Sequence, residues 1–450
     1  MDRSTVKFQF RYYGDVGGQS RSVIIATIVI IFFLFAALGM PIAFAMGMAS
    51  LTAILVAGMD FMVLPGKMVH AVDSFPLMAI PLFMLAGQLM LRGGIMDPLI
   101  DFVNALIGRV RGGLAHVTVA SAMLFSSVSG VAVADATALG GALGPALSKT
   151  YPRPFAASIV AAASCMGPII PPSGAMIVYA VMAGNVSVAG LFLAGIVPGV
   201  LIGISMMGLC TYIAYRRGYP PTGDAFNWRK LVRETLRSIP IFLMPIIVIG
   251  GIIAGAFTPT EGAAIAVAYA LLIGFFFTRK LKLADLPVAL FNAAIVTAVV
   301  GALIAFSTTV TYLFTIERVA DLIVEWFGSY TTSPYVFICL VMVALLVLGA
   351  FVEGNSLIIM VAPVLAPVAL SFGLDPIYFG FLFVMNIVLG SITPPVGILL
   401  FVTAGIWNEP ITNIIKAIWP FIVLLYSVLV LLVLVPDIFM FLPKMMGFAK

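Results

Sequence analysis

The sequence predicts an all-α protein that crosses a membrane many times and uses one architecture twice, in opposite orientations. Three observations predict it. Of 450 residues, 62% are hydrophobic and 9% charged, against about 25% charged in a soluble domain, and the mean hydropathy is +1.19. Two proline-rich stretches interrupt long apolar runs: Ser164-Cys165-Met166-Gly167-Pro168-Ile169-Ile170-Pro171-Pro172-Ser173-Gly174 and Gly390-Ser391-Ile392-Thr393-Pro394-Pro395-Val396-Gly397. The two stand at one separation, since 394 − 171, 395 − 172, 390 − 167 and 397 − 174 all equal 223. Proline lacks the N–H donor and clashes with the preceding turn, so both helices break there. The apolar runs supply about ten crossings of about 20 residues, five to a repeat, and an odd number inverts the second repeat relative to the first.

Residues 1–21 form a polar tail with no apolar core or small-residue cleavage site, so no removable signal peptide is expected. The first repeat covers 22–217. Its run from Ser22 to Val56 is too long for one crossing and divides at Gly39-Met40-Pro41. Asp73-Ser74-Phe75 opens a third helix, stopped by Arg92-Gly93-Gly94. Asp97 to Arg109 reads as an amphipathic helix on the membrane surface, ending near Gly108 and Gly112-Gly113, which are candidate hinges. Residues 114–147, interrupted at Ser126-Ser127-Val128-Ser129-Gly130, make two arms too short to span comfortably. Basic residues on both flanks, Arg109/Arg111 and Lys149/Arg153, make them a re-entrant hairpin. The broken helix 155–184 crosses, and Val188 to Tyr215 crosses back.

Residues 218–237 form a polar, basic linker with Arg229, Lys230, Arg233 and Arg237 around Trp228. The second repeat covers 238–436: helices Ile239–Phe257 and Glu261–Thr278, a surface helix from Glu317 to Phe327 ending at Gly328, a hairpin over 335–371, and a broken helix over 376–407. A tail, 437–450, follows. This threading collects 15 of the 23 Lys and Arg on the linker's face, which is therefore cytoplasmic; Arg3, Lys7, Arg11 and Arg21 of the amino-terminal tail are the discordant group.

Polar groups at the midplane are costly unless bound or paired. The first hairpin tip and break bring Ser126, Ser127, Ser129 and Gly130 toward Ser164, Gly167, Pro171 and Ser173; the second bring Gly349, Glu353, Asn355 and Ser356 toward Asn386, Gly390 and Thr393. Released carbonyls and short hydroxyls suit a hard cation, sodium before a transition metal. The alternative is that the prolines only kink helices and the hydroxyls bond their own i−4 carbonyls; the doubling favours the sites. Asp135 either contributes to substrate or cation binding or fixes the hairpin as a hydrogen-bonding residue. With it, Ser173, Ser391, Pro172 and Pro395 are the substrate-cavity candidates. Glu261, in Thr258-Pro259-Thr260-Glu261, reads as a helix cap, and the isolated His70 and His116 as structural. Cys165, Cys210 and Cys339 lie in apolar runs with neither disulfide nor zinc spacing and read as packing residues. No metal other than sodium and no nucleic-acid partner is expected.

SSVSGVAVADATA at the first tip, GPIIPPSGAMIVY, GAFTPTEGAA and GSITPPVGILLFVTAGI, in this order, resemble the large membrane subunit of tripartite ATP-independent periplasmic (TRAP) transporters, over Leu38 to Pro436. The resemblance implies a multi-pass protein of the bacterial inner membrane that imports a small organic acid with sodium as coupling ion. It implies a soluble periplasmic binding protein and a separate small four-helix membrane subunit as partners. It implies elevator-like movement of hairpins and broken helices against a scaffold. Carried over by position, the two cation sites fall on the residues named above; Glu353-Gly354 departs from the family's Asp-Pro at the second tip. A stand-alone divalent-anion/sodium symporter shares the design but not this motif set. The chain lacks HExxH, GxSG, paired catalytic aspartates and a P-loop, so an intramembrane enzyme or ATPase is disfavoured. Hairpins closing broken helices from both sides argue against a passive channel.

Overall fold

A computed structural model describes residues 18–184, 186–221 and 226–449, with side chains from Val23 onward. Most of the expected tail 1–21 and part of the linker 218–237 lie outside the described residues. The described chain is helical, its one β-bridge joining Arg111 to Pro221. Seven of its helices are long and apolar enough to cross a membrane alone. Six of these coincide with expected crossings and the seventh, Gly354–Ser371, is an arm of the expected second hairpin; the other four expected crossings fall on the shorter helices at Gly18–Ala37 and Ile42–Val56 and on the two helix pairs that meet at the breaks.

The chain divides into two compact units, and both draw on both halves of the sequence. One holds the described residues to Ser74 together with Ala298–Tyr330. It contains α1 (Gly18–Ala37), α2 (Ile42–Val56) and α3 (Val63–Val72), with Gly39 at φ 83° turning the chain between the first pair. Small residues let helices approach closely in a bilayer: a Cβ at Gly47 would lie 2.6 Å from the Phe306 ring. Lys67 covers the Tyr312 ring at 3.9 Å, a cation–π contact that shields the ammonium.

The larger unit takes the rest. A 3-10 turn at Phe75–Met78 leads into α4 (Ala79–Arg92), followed by the surface helix α5 (Met96–Ile107). Helices α6 (Gly113–Ser129) and α7 (Ala132–Thr150) form the first hairpin, and α8 (Arg153–Ser164) and α9 (Gly174–Ala183) the first broken helix. Then come α10 (Val188–Arg216), α11 (Trp228–Ile253) and α12 (Pro259–Leu272), the last continued by a π-turn at Ile273–Phe277. Helix α13 (Leu286–Ile316) runs from this unit into the smaller one, which also holds α14 (Val319–Tyr330). The second hairpin is α15 (Pro334–Gly349) with α16 (Gly354–Ser371), and the second broken helix α17 (Pro376–Gly390) with α18 (Ile398–Trp407). Helices α19 (Ile411–Leu434) and α20 (Asp437–Met445) close the chain.

Local chemistry explains the starts. Ser187 caps α10 through Gly190 N at 3.1 Å, and Asp375 caps α17 through Ile377 N at 2.8 Å, each satisfying an amide the helix leaves free. Thr258 and Glu261 cap α12 reciprocally, as the sequence predicts. His116 is structural: its ring bonds Gly112 O at 2.9 Å and Thr211 Oγ1 at 2.7 Å.

Three expectations need correction. Helix α11 begins at Trp228, capped by Asn227, so the last ten residues of the expected linker are helical. The expected tail 437–450 contains α20, because Phe439 and Met440 bury an apolar face there, with the Phe439 ring 5.0 Å from Phe381. Cys339 is exposed, unlike the buried Cys165 and Cys210, so it does not pack.

Candidate functional site

The first tip turns on Gly130, which ends α6 at φ 65°, a left-handed conformation that other residues adopt only with strain. Asp135, in the first turn of α7, is fully buried. It accepts the Ser126 hydroxyl at 2.7 Å on one oxygen and the Ser129 hydroxyl on the other. A buried carboxylate persists only when hydrogen-bonded, so these bonds tie the two arms together across the tip.

The first break faces this tip. A Cβ on Gly167 would lie 2.7 Å from Asp135 Oδ2, and one on Gly130 2.5 Å from Pro172 O; glycine alone fits at both. Ser173 donates to Pro168 O at 2.6 Å and accepts from Met176 N. Ser164 donates to Val160 O at 2.7 Å and Ser127 to Leu124 O at 2.7 Å, which leaves their oxygen lone pairs as the only free capacity. The carbonyls of Gly167, Ile170, Pro171 and Pro172 accept no hydrogen bond among the described residues. The Pro171-Pro172 and Pro394-Pro395 bonds are both cis.

The second tip meets its break through backbone. Gly390 and Gly349 are in contact, a Cβ on the former falling 2.6 Å from the latter's carbonyl carbon. Val396 N and Gly397 N both donate to Ala350 O, at 3.2 and 3.5 Å. Thr393 donates to Leu389 O at 2.8 Å and lies 3.2 Å from the Tyr426 hydroxyl. Asn386 donates to Met342 O at 2.6 Å, and its Oδ1 is buried without a partner. Glu353 has a different place: its carboxylate caps α16 through Asn355 N (3.1 Å), Ser356 N (2.9 Å) and the Ser356 hydroxyl (2.9 Å).

Tips and breaks line an open cleft whose volume, with its opening to solvent included, is about 590 Å³. Four helices begin on its wall: α7 at Ala132 and Val133, α9 at Gly174 and Ala175, α16 at Gly354 and Asn355, α18 at Ile398. Glu353 is the one ionisable side chain of the lining. The N–H groups of Ala132, Val133, Gly174, Ala175 and Ile398 donate to no other group among the described residues. Of the cavity residues expected from sequence, Ser391 lines it; Asp135, Ser173, Pro172 and Pro395 do not, the first two being buried in the bonds above. The helix starts were missed, although the topology implies them: a hairpin's return arm and the second half of a broken helix both begin where the chain turns.

The two halves are tied to each other. Trp407 on α18 donates to Ser148 on α7 at 3.0 Å, and Cys165 at the first break lies 4.0 Å from Ser391 at the second.

Residues 29–438 match the model of the DctM component of the tripartite ATP-independent periplasmic transporter family. The chain is 36% identical over 382 residues to the C4-dicarboxylate TRAP transporter large permease protein DctM of Pseudomonas aeruginosa, covering 85% of this chain and 89% of that one. It is 36% identical over 429 residues to the sialic acid TRAP transporter permease protein SiaT of Haemophilus influenzae, covering 95% and 69%. Among solved structures, the Alcanivorax borkumensis YdaH transporter matches with a TM-score of 0.60 at 16% identity, over 83% of this chain and 87% of that one, a likeness of fold.

Proposed function

The chain belongs to the DctM family of tripartite ATP-independent periplasmic transporters, and from that premise we propose that it imports a small organic acid coupled to sodium, served by a periplasmic binding protein and a small four-helix membrane subunit. The cavity carries this reading. Helix starts bear partial positive charge and free N–H donors, so α7, α9 and α18 offer a carboxylate several donors with no lysine or arginine on the wall. The start of α16 is already compensated by Glu353. The lining's one formal charge is therefore negative, and an acid entering it gains from cations held beside the tips.

For the first cation the supporting groups are the free carbonyls of Gly167 and Pro171 and the lone pairs of Ser126, Ser129 and Ser164, with the Asp135 charge behind them. Gly349, the unpartnered Asn386 Oδ1 and Thr393 support the second. All are hard oxygen donors, as an alkali cation requires. Glu353, Asn355 and Ser356 belong to the cap and cavity wall instead. An elevator step is supported by the backbone contacts that join each tip to its break and by the Trp407–Ser148 bond: such parts travel together more readily than they open.

The test is uptake of labelled succinate and N-acetylneuraminate by cells making the chain with both partners, with and without a sodium gradient. Expected is sodium-dependent uptake of one acid, its sodium response weakened about ten-fold or more by Asn386→Leu. Uptake indifferent to the gradient would overturn the coupling. Uptake without the binding protein would return the stand-alone symporter.

A further inference from the structure

The wall of the cleft between the tips and breaks is chemically unequal across the two repeats. Every first-repeat residue on it is glycine, proline or apolar, so that face offers polar groups from its backbone alone. They include the N–H donors that Ala132, Val133, Gly174 and Ala175 leave unused among the described residues, at the starts of α7 and α9. All three polar side chains of the wall, Glu353, Asn355 and Ser391, come from the second repeat. An ionised carboxylate accepts at about four lone-pair positions; at Glu353, Asn355 N, Ser356 N and the Ser356 hydroxyl fill three. The residue is exposed, which leaves the fourth for a ligand. Ser391 gives its proton to Val388 O at 2.6 Å and has only its lone pairs left. Against these acceptors stands one free helix-start amide, Ile398 N of α18. The groups that support the second cation, Gly349, Asn386 and Thr393, are not on the wall, so a bound molecule meets Glu353 itself.

A carboxylate therefore belongs on the first-repeat face, where donors are free and no side chain repels it, and the second-repeat face calls for a donor in return. Three hydrogen bonds and the start of α16 already answer much of the Glu353 charge, so a neutral hydroxyl suffices there and a full cation is not required. A second carboxylate would set acceptors against acceptors and one negative charge against another, a juxtaposition that binding surfaces use to reject the wrong partner. Resting on the reading of this cleft as the acid site, we propose that Glu353 sets its charge specificity: the chain takes a hydroxylated monocarboxylate, its carboxylate at the starts of α7 and α9 and a hydroxyl on Glu353, and rejects the corresponding dicarboxylate. Because the same carboxylate caps α16, the discriminating charge is held in place by the helix it starts.

The test uses the purified full-length chain in detergent with sodium, and three probes. These are D-gluconate; D-glucarate, in which a second carboxylate replaces the primary hydroxyl; and hexanoate, which lacks the hydroxyls. Affinity is read from the dependence of the melting temperature on ligand concentration, so no binding protein selects the acid first. Expected for the unmodified chain is gluconate bound at least about ten-fold tighter than either of the others, as one hydrogen bond to a charged group supplies. Glu353→Gln, which keeps the shape and removes the charge, should bring glucarate to within about two-fold of gluconate once the like charge is gone. Glu353→Asp, which keeps the charge, should retain the preference. Glucarate or hexanoate bound as tightly as gluconate by the unmodified chain would overturn the proposal while leaving the cleft an acid site. A preference for gluconate over glucarate that is unchanged in Glu353→Gln would overturn it too, by placing the discrimination elsewhere. If none of the three acids shifts the melting temperature, the acid-site reading itself fails and the specificity proposal falls with it.

Discussion

Gly390 and Gly349 decide how closely the second hairpin tip approaches its broken helix. A Cβ on Gly390 would stand 2.6 Å from the carbonyl carbon of Gly349, and one on Gly349 3.3 Å from the Gly390 α-carbon. Both neighbours are backbone, so neither can rotate away and the tip itself would have to retreat. Gly390→Ala should therefore cost about 1–3 kcal/mol, as overpacking does. Gly405, with nothing within 4 Å of its Cβ position, is the control, and Gly405→Ala should gain up to about 1 kcal/mol of helix propensity. Thermal melting of the two variants decides: if Gly390→Ala is as stable as Gly405→Ala, the contact does not exist. The sequence pattern singles out both Gly349 and Gly390, one at a hairpin tip and the other at a proline break. It cannot show that they touch, since a separation of 390 − 349 = 41 residues carries no distance. Asp135 illustrates the same limit: its sequence position leaves ligand and hairpin lock both open, and only the two serine hydroxyls on its oxygens show the bonding it makes.

At the scale of elements, α5 is clamped rather than free on the surface. Ser238 on α11 donates to Pro98 O at 3.0 Å, the Phe102 and Phe242 rings sit 5.2 Å apart, and Arg237 reaches Asp101 at 3.4 Å. The amphipathic period of α5 was legible in sequence, but its partner was not, because Asp101 and Arg237 are 136 residues apart and pairing at that range depends on the fold. The clamp is not a simple ion pair. Partial burial, then the neighbouring Glu234, push the Asp101 carboxyl above its usual range, and Arg237 only partly offsets them. The folded state thus favours the protonated acid; the stability this brings is present at low pH and is lost as pH rises through the raised titration. Asp101→Asn should melt no lower than the unmodified chain at pH 7 and show a flatter stability profile between acid and neutral pH. Arg237→Ala should melt lower, leaving Asp101 and the buried Glu234 facing each other. A drop of several degrees for Asp101→Asn at pH 7 would show instead that the ion pair is net stabilising.

At the scale of the molecule, composition alone makes this a membrane protein, and the doubled motif makes its halves related. What composition leaves open is parity, which rests on whether a helix broken at its centre still crosses. Between Arg229 and Asp437 the structure has three long apolar helices, α11, the span continued through the π-turn, and α13. After these come the hairpin α15 and α16, which the sequence expects to return to the side it left although α16 is itself long and apolar enough to cross, the broken pair α17 and α18, and α19. If the broken pair counts as one crossing the total is five, and Arg229 and Asp437 face opposite sides of the membrane; if the pair turns back at Pro394-Pro395 the total is four and they share a side. Both residues are exposed, as is Lys282 on the loop after α12, which lies an even two crossings from Arg229 and should share its side on either count. In a chain freed of Cys165, Cys210 and Cys339, single cysteines at these three positions can be challenged with an impermeant maleimide from outside the cell. The sequence places Arg229 and Lys282 in the cytoplasm by their basic surroundings, so only the Asp437 position should react. Labelling at Arg229 and Lys282 but not at Asp437 would keep the five crossings and reverse the orientation. Equal protection of all three would mean that α17 and α18 turn back, which removes the odd count on which the inversion of the second repeat depends.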